Sequence, residues 1–177
     1  MRIFFSLFLF AILHPSSANA SKELGLQDIK LGTKLDDLSP WIREPCQVLP
    51  PVREAVESTQ KNRIKVCLLR NDVSFHVGEF KAQKGVFRFV KNELFHAAFD
   101  FKKTCECFKD ISDLLAIRYG LATHMEKNID LVRYERRSMK ITFHQLSGVP
   151  RLWWYNVPLL IEANTIIGPS NIDGREQ

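Results

Sequence analysis

The sharpest chemical feature of the sequence is Cys105-Glu106-Cys107. Two thiols at the start of a predicted helix would have depressed pKa values, because the positive end of the helix stabilises a thiolate. Such a pair would serve as a redox couple or a soft-metal site. Glu106 works against this, since a neighbouring negative charge raises a thiol pKa. The residues that follow do not build the βαβ unit that surrounds a thioredoxin-like pair. A structural disulfide is the preferred reading. The other cysteines are Cys46 and Cys67. Four cysteines permit three pairings. Cys46–Cys67 is expected, tying the segment after the first helix to the first strand. A loop of that size stabilises by about 3 kcal/mol if unstrained. Cys105 and Cys107 then close on each other in a tight ring or remain thiols, and crossed pairings stay open.

Beyond the first twenty residues the histidines are His76, His96, His124 and His144. None has a second ligand at a recognisable metal spacing, so ordinary surface or half-buried histidines are expected, and neither metal nor cofactor. There is no G-x-S-x-G elbow and no glycine-rich phosphate loop. Asp110 and Asp113 near a helix start complement its dipole without catalysis. Glu126 and Asp130 form no general-acid arrangement.

Trp153, Trp154 and Tyr155 are consecutive, with Arg151 beside them. Successive strand side chains face opposite sides, so Trp154 cannot share a face with its neighbours. Interfaces favour Trp, Tyr and Arg. A binding surface built from Arg151, Trp153, Trp154, Tyr155, Arg136 and Arg137, with Arg133 nearby, is the candidate site. The alternative is a sheet packed on both faces, which would bury every ring.

These residues must be held by a small set of elements. Thr33 can cap a helix carrying Leu35, Leu38 and Ile42 on one face, limited by Pro40. Pro45 to Asn62, with Pro50-Pro51, reads as a connection in which Val52–Thr59 forms one or two helical turns. Alternation predicts strands at Arg63–Leu69, Val73–Val77 and, after a Lys/Gln/Gly break, Val86–Val90. Lys91-Asn92-Glu93 turns the chain into a fourth strand with Phe95, Ala97, Phe99 and Phe101 on the core side, a β-hairpin. Phe108, Ile111, Leu115 and Tyr119 mark a helix closed by Gly120. Ile129–Tyr134 and Met139–Leu146 read as strands around a polar turn, and Leu152–Tyr155 as the last strand. Pro158 predicts an edge position or a break. Val73-Ser74-Phe75-His76 and Ile141-Thr142-Phe143-His144 match loosely, which raises two tandem halves. The fold class is α+β, an antiparallel sheet with helices on one face.

The chain has 177 residues, and 25 Lys and Arg against 20 Asp and Glu give a net charge of +5. Residues 1–20 carry Arg2, an apolar stretch from Ile3 to Leu13 and a closing Ala18-Asn19-Ala20, the pattern of a cleaved export signal. That stretch is shorter than the roughly 20 residues that span a bilayer. Loss of Arg2 leaves +4. No cysteine stands directly after the cleavage point, where Ser21 lies, so no lipid anchor and no stable membrane insertion are expected. Residues 21–167 suit one domain, with a polar, mobile tail over 168–177. Acidic and basic residues are interleaved, unlike the concentrated charge of a nucleic-acid binder. An even cysteine count in an exported chain favours an oxidising, periplasmic or secreted location.

Three stretches resemble small exported bacterial modules of the BamE and β-lactamase-inhibitor-protein type. They are Ile29 to Leu35, with Gly32 before a short helix; the aromatic hairpin Val86 to Phe101; and the helix Phe108 to Gly120. The resemblance implies a helix-on-antiparallel-sheet fold used for protein binding or envelope assembly. The expected function is a non-enzymatic module that binds another envelope or secreted protein as inhibitor, immunity factor or assembly accessory. The rivals are a thiol-dependent redox or metal-handling protein using Cys105 and Cys107, and small-ligand binding between helix and sheet.

Overall fold

The computed structural model describes residues 22–25, 27–49, 63–145 and 148–167. The export signal, the Val52–Thr59 turns, Leu146 and the tail over 168–177 lie outside the described residues.

The strands are β1 (Lys22–Gly25), β2 (Ile42–Leu49), β3 (Ile64–Leu69), β4 (Val73–Val77), β5 (Phe80–Val90), β6 (Glu93–Phe101), β7 (His124–Glu126), β8 (Leu131–Arg136), β9 (Met139–His144) and β10 (Arg151–Asn156). The helices are α1 (Leu35–Leu38), α2 (Phe108–Tyr119) and α3 (Val157–Ile167). The fold is α+β around a mostly antiparallel sheet in the order β1-β4-β5-β6-β10-β9-β8-β7, with β3 pairing both β5 and β2. Only β1 and β4 pair in parallel among the described strands.

The long β5–β6 hairpin is the spine. Its turn residues Lys91 and Asn92 both have positive φ, 50° and 63°, the conformation whose twist matches flanking strands. The preceding β4–β5 turn places Gly78 at φ 60°, where glycine carries no Cβ penalty. The predicted break before Val86 is absent. β5 runs through it, and the Lys/Gln/Gly stretch is instead a register shift between Ala82 and Lys84. Gly85 is required by packing rather than by a turn. A Cβ there would lie 3.0 Å from both Leu69 Cβ and the Phe99 ring.

Helices cover both faces of the sheet, which corrects the single helical layer expected. On one face, Ile111 and Leu115 of α2 and Leu35 and Leu38 of α1 join Phe75, Phe87, Phe99, Phe101 and Phe143 in the main core. On the other, Ala163, Ile166 and Ile167 of α3 pack with Ile64, Val90, Phe95 and Tyr155. Phe95 therefore leaves the side on which Phe99 lies. A second register shift in the hairpin pairs Arg88 with His96 but Phe89 with Leu94, so Phe95 is the extra residue of a bulge and turns to α3.

Several boundaries differ from expectation for local reasons. α1 is only four residues long, and Ile42 opens β2 rather than extending the helix. The Thr33 hydroxyl donates to the Lys30 carbonyl, and Lys34 stands at the helix cap. β2 occupies the region read as a connection; its ladder slips between Arg43 and Gln47 around Pro45. Pro158 does not mark an edge, because β10 lies between β6 and β9. It sits in the first turn of α3, where a missing N–H costs least. Asn156 Oδ1 accepts the Leu159 N–H at 3.3 Å, capping that helix. The two matched tetrapeptides lie in unlike places: β4 beside the parallel β1, and β9 between β8 and β10.

Both disulfides form. Cys46–Cys67 ties β2 to β3 across 4.5 Å between Cα atoms, and Cys105–Cys107 closes on itself just before α2. No free cysteine is present among the described residues.

Candidate functional site

The predicted aromatic and basic residues are divided between the two sides of the sheet. Trp154 is 4% exposed and belongs to the core under α2, where its ring meets Tyr119 edge-on at 6.2 Å. Tyr155 is buried on the α3 side. Arg136 donates to the Tyr119 carbonyl at 2.8 Å and so closes the end of α2. Arg137 lies exposed in the β8–β9 turn. Arg151 and Trp153 share a face, two residues apart on β10. Arg151 reaches Asp100 at 3.0 Å, and the Trp153 ring meets His144 edge-on at 4.5 Å.

The ladder carries these two residues into a larger arrangement. Register places Leu68, Val86, Ala98, Trp153, Thr142 and Arg133 side by side across six adjacent strands. A second row runs Lys84, Asp100, Arg151 and His144. Cross-strand partners point to the same face. Trp153 and Arg151 thus share a face with Val86 and Lys84, two strands away.

At the Leu68 end of these rows the sheet contains a cleft of about 870 Å³. It forms because β3 and β4 both pair antiparallel with β5 but leave it in between. β3 pairs as far as Leu68 with Val86, and β4 pairs from His76 with Lys81. Over Ala82–Gly85, the ladder partners among the described residues are on β6 alone. The floor is apolar, with Leu69, Val73, Ala82 and Gly85 buried, and Leu68 remains 48% exposed beside Val86. The rim carries Arg70, Lys81, Lys84 and Lys102, with no carboxylate in the lining. Arg70 is bound to Asp72 at 2.6 Å, and this partner raises its pKa by hydrogen bond and charge. Lys81, Lys84 and Lys102 make no ion pair among the described residues.

Sequence reasoning missed this cleft. Its four cations come from three separate segments, and the signal that joins them is a gap in strand pairing. The one local hint was the Lys81–Gly85 stretch, which breaks the apolar alternation of β5.

The histidines face different surroundings. His96 is 3% exposed, stacked on Tyr155, with no hydrogen-bond partner at either ring nitrogen. Burial holds its pKa well below the usual range, and the Arg88 charge adds to this. Burial and then Arg151 lower His144 to about 4. Both are therefore neutral at neutral pH. His124 is exposed on β7, and His76 half-buried on β4. Among the described residues, no three His, Cys, Asp or Glu side chains gather closely enough to hold a metal, and no helix is long and apolar enough to cross a membrane.

What this geometry offers is a cationic, apolar-floored cleft continuous with a sheet face bearing Arg151 and Trp153. No family model, no curated protein and no solved structure matches the chain.

Proposed function

We propose that the protein is an exported, non-catalytic module that holds another envelope or secreted protein. The observation that carries this reading is the cleft beside β5, whose lysines make no ion pair among the described residues and whose floor is apolar. Interfaces combine an apolar centre with polar or charged surroundings. Electrostatic complementarity of this kind speeds encounter and selects partners. Arg151 and Trp153, on the same face, extend the surface towards β10. Two internal disulfides support folding in an oxidising compartment, periplasmic or extracellular. The resemblance of three stretches to small exported protein-binding modules points the same way.

The test is capture from envelope extract on the immobilised, oxidised protein, identification by mass spectrometry, and reconstitution with the purified partner. A single protein should be enriched and should form a defined complex by analytical ultracentrifugation. If no captured protein forms a defined complex after purification, the reading fails.

A further inference from the structure

Deepening the protein-binding reading and resting on it, we infer that the cleft takes an extended acidic segment of the partner, laid along β5 as an added strand. Three observations converge. First, Ala82, Lys84 and Gly85 have ladder partners only on β6 among the described residues, and Gln83 stands at the register shift between them. Backbone N–H and C=O groups along a strand seek such pairing, and an incoming extended peptide supplies it. Second, Lys84 lies in that stretch and Lys81 and Lys102 beside it, with no carboxylate among the lining residues. A segment bearing Asp or Glu satisfies them, whereas a basic one is repelled. Third, the floor of the gap is apolar, with Leu69, Val73 and Ala82 buried. Strand side chains alternate between faces, so a segment alternating acidic and apolar residues presents carboxylates on the face of Lys84 and apolar side chains to Leu69, Val73 and Ala82 on the other.

The other polyanions fit less well. The cations are spread around an apolar floor rather than converging on one point, unlike a phosphate site. No aromatic residue lines the cleft, so nothing there stacks a nucleic-acid base.

The experiment uses the full oxidised protein and a fluorescein-labelled peptide of alternating Glu and Val, read by fluorescence anisotropy. Control peptides alternate Lys with Val, or repeat the Glu–Val sequence with every backbone amide N-methylated, which removes the amide donors that strand pairing needs. The Glu–Val peptide should bind, and the triple variant K81E/K84E/K102E should weaken it at least about tenfold. Binding should fall as salt rises from about 0.1 M to about 1 M. The N-methylated peptide should bind more weakly than Glu–Val. Equal binding of the Lys–Val peptide, no effect of the triple variant, or tighter binding of polyuridylate than of the Glu–Val peptide overturns the inference. So does equal binding of the N-methylated peptide, because strand addition would then play no part. Circular dichroism checks folding of the variant, and K81Q/K84Q/K102Q replaces it if charge reversal unfolds the protein, with the same direction expected. The two readings fail separately. A purified natural partner bound equally by wild type and triple variant removes the acidic-strand inference and leaves protein binding standing. A chain that forms no defined protein complex removes both.

Discussion

The His96 imidazole lies flat against the Tyr155 ring, with centroids 4.5 Å apart and planes 10° from parallel. Both belong to the middle of the sheet, on β6 and the neighbouring β10, and register pairs them directly. Arg88 is the cross-strand partner on the other side of His96. A proton on this ring would put a second positive charge beside Arg88, in a site with no acceptor at either ring nitrogen.

Stability should therefore depend on pH through His96. Its folded pKa is lowered well below 6.5, so below that pH the unfolded chain binds the proton that the fold refuses. Stability is full above the unfolded pKa and falls as pH drops through 6.5 towards the folded value. His144, lowered to about 4, acts in the same direction. Denaturant midpoints measured from about pH 8 to about pH 5 should decline, and H96F should flatten the decline. A midpoint unchanged across that range would contradict the buried neutral ring.

Phe99 anchors the core under α2. Its ring stacks on Phe75 at 3.5 Å and meets Phe87 edge-on at 5.6 Å. F99A should cost about 3–5 kcal/mol in chemical denaturation. A loss below about 1 kcal/mol would be inconsistent with a fully buried ring.

The Cys46–Cys67 bridge spans 21 residues of sequence. The paired change C46A/C67A should lower stability by about 3 kcal/mol. Wild-type protein unfolded with and without reductant should differ in the same direction.

Trp153 and Trp154 should part company on substitution, although they are adjacent. W154A removes a core ring and should cost about 3–5 kcal/mol. The pair R151A/W153A should leave the far-ultraviolet circular dichroism intact and weaken capture of the protein partner we propose. Loss of the folded spectrum in the second variant would assign Arg151 and Trp153 to the core instead of the binding surface.

What the sequence revealed, and what it hid, follows from the range of the forces involved. α2 was legible because Phe108, Ile111, Leu115 and Tyr119 repeat at helical spacing and Gly120 ends them. The Cys46–Cys67 pairing and the β5–β6 turn at Asn92 were legible for similarly local reasons. β2 was not, because Pro45 and its charged neighbours interrupt alternation where the ladder slips. α3 was misread because Pro158 was weighed as a strand breaker, although Asn156 and Pro158 together make a helix start. The bulge that moves Phe95 across the sheet depends on its pairing with β5. The cleft is more distant still from local pattern, since it exists only once β3 and β4 have both found β5. Of the proposed binding residues, the ordering on β10 separated Trp154 from Arg151 and Trp153, as strand alternation requires, but nothing local showed that Lys84 would join the latter two.

Insertion of β10 between β6 and β9 has a consequence for how the chain matures. The hairpin of β5 and β6 and the group β7, β8 and β9 are made earlier, yet they do not pair with each other; residues 151–156 are the stitch that joins them. A chain made from its N-terminus carries two half-sheets with raw inner edges until that stitch arrives. Completion of the sheet is thereby postponed until almost the whole described chain has been made.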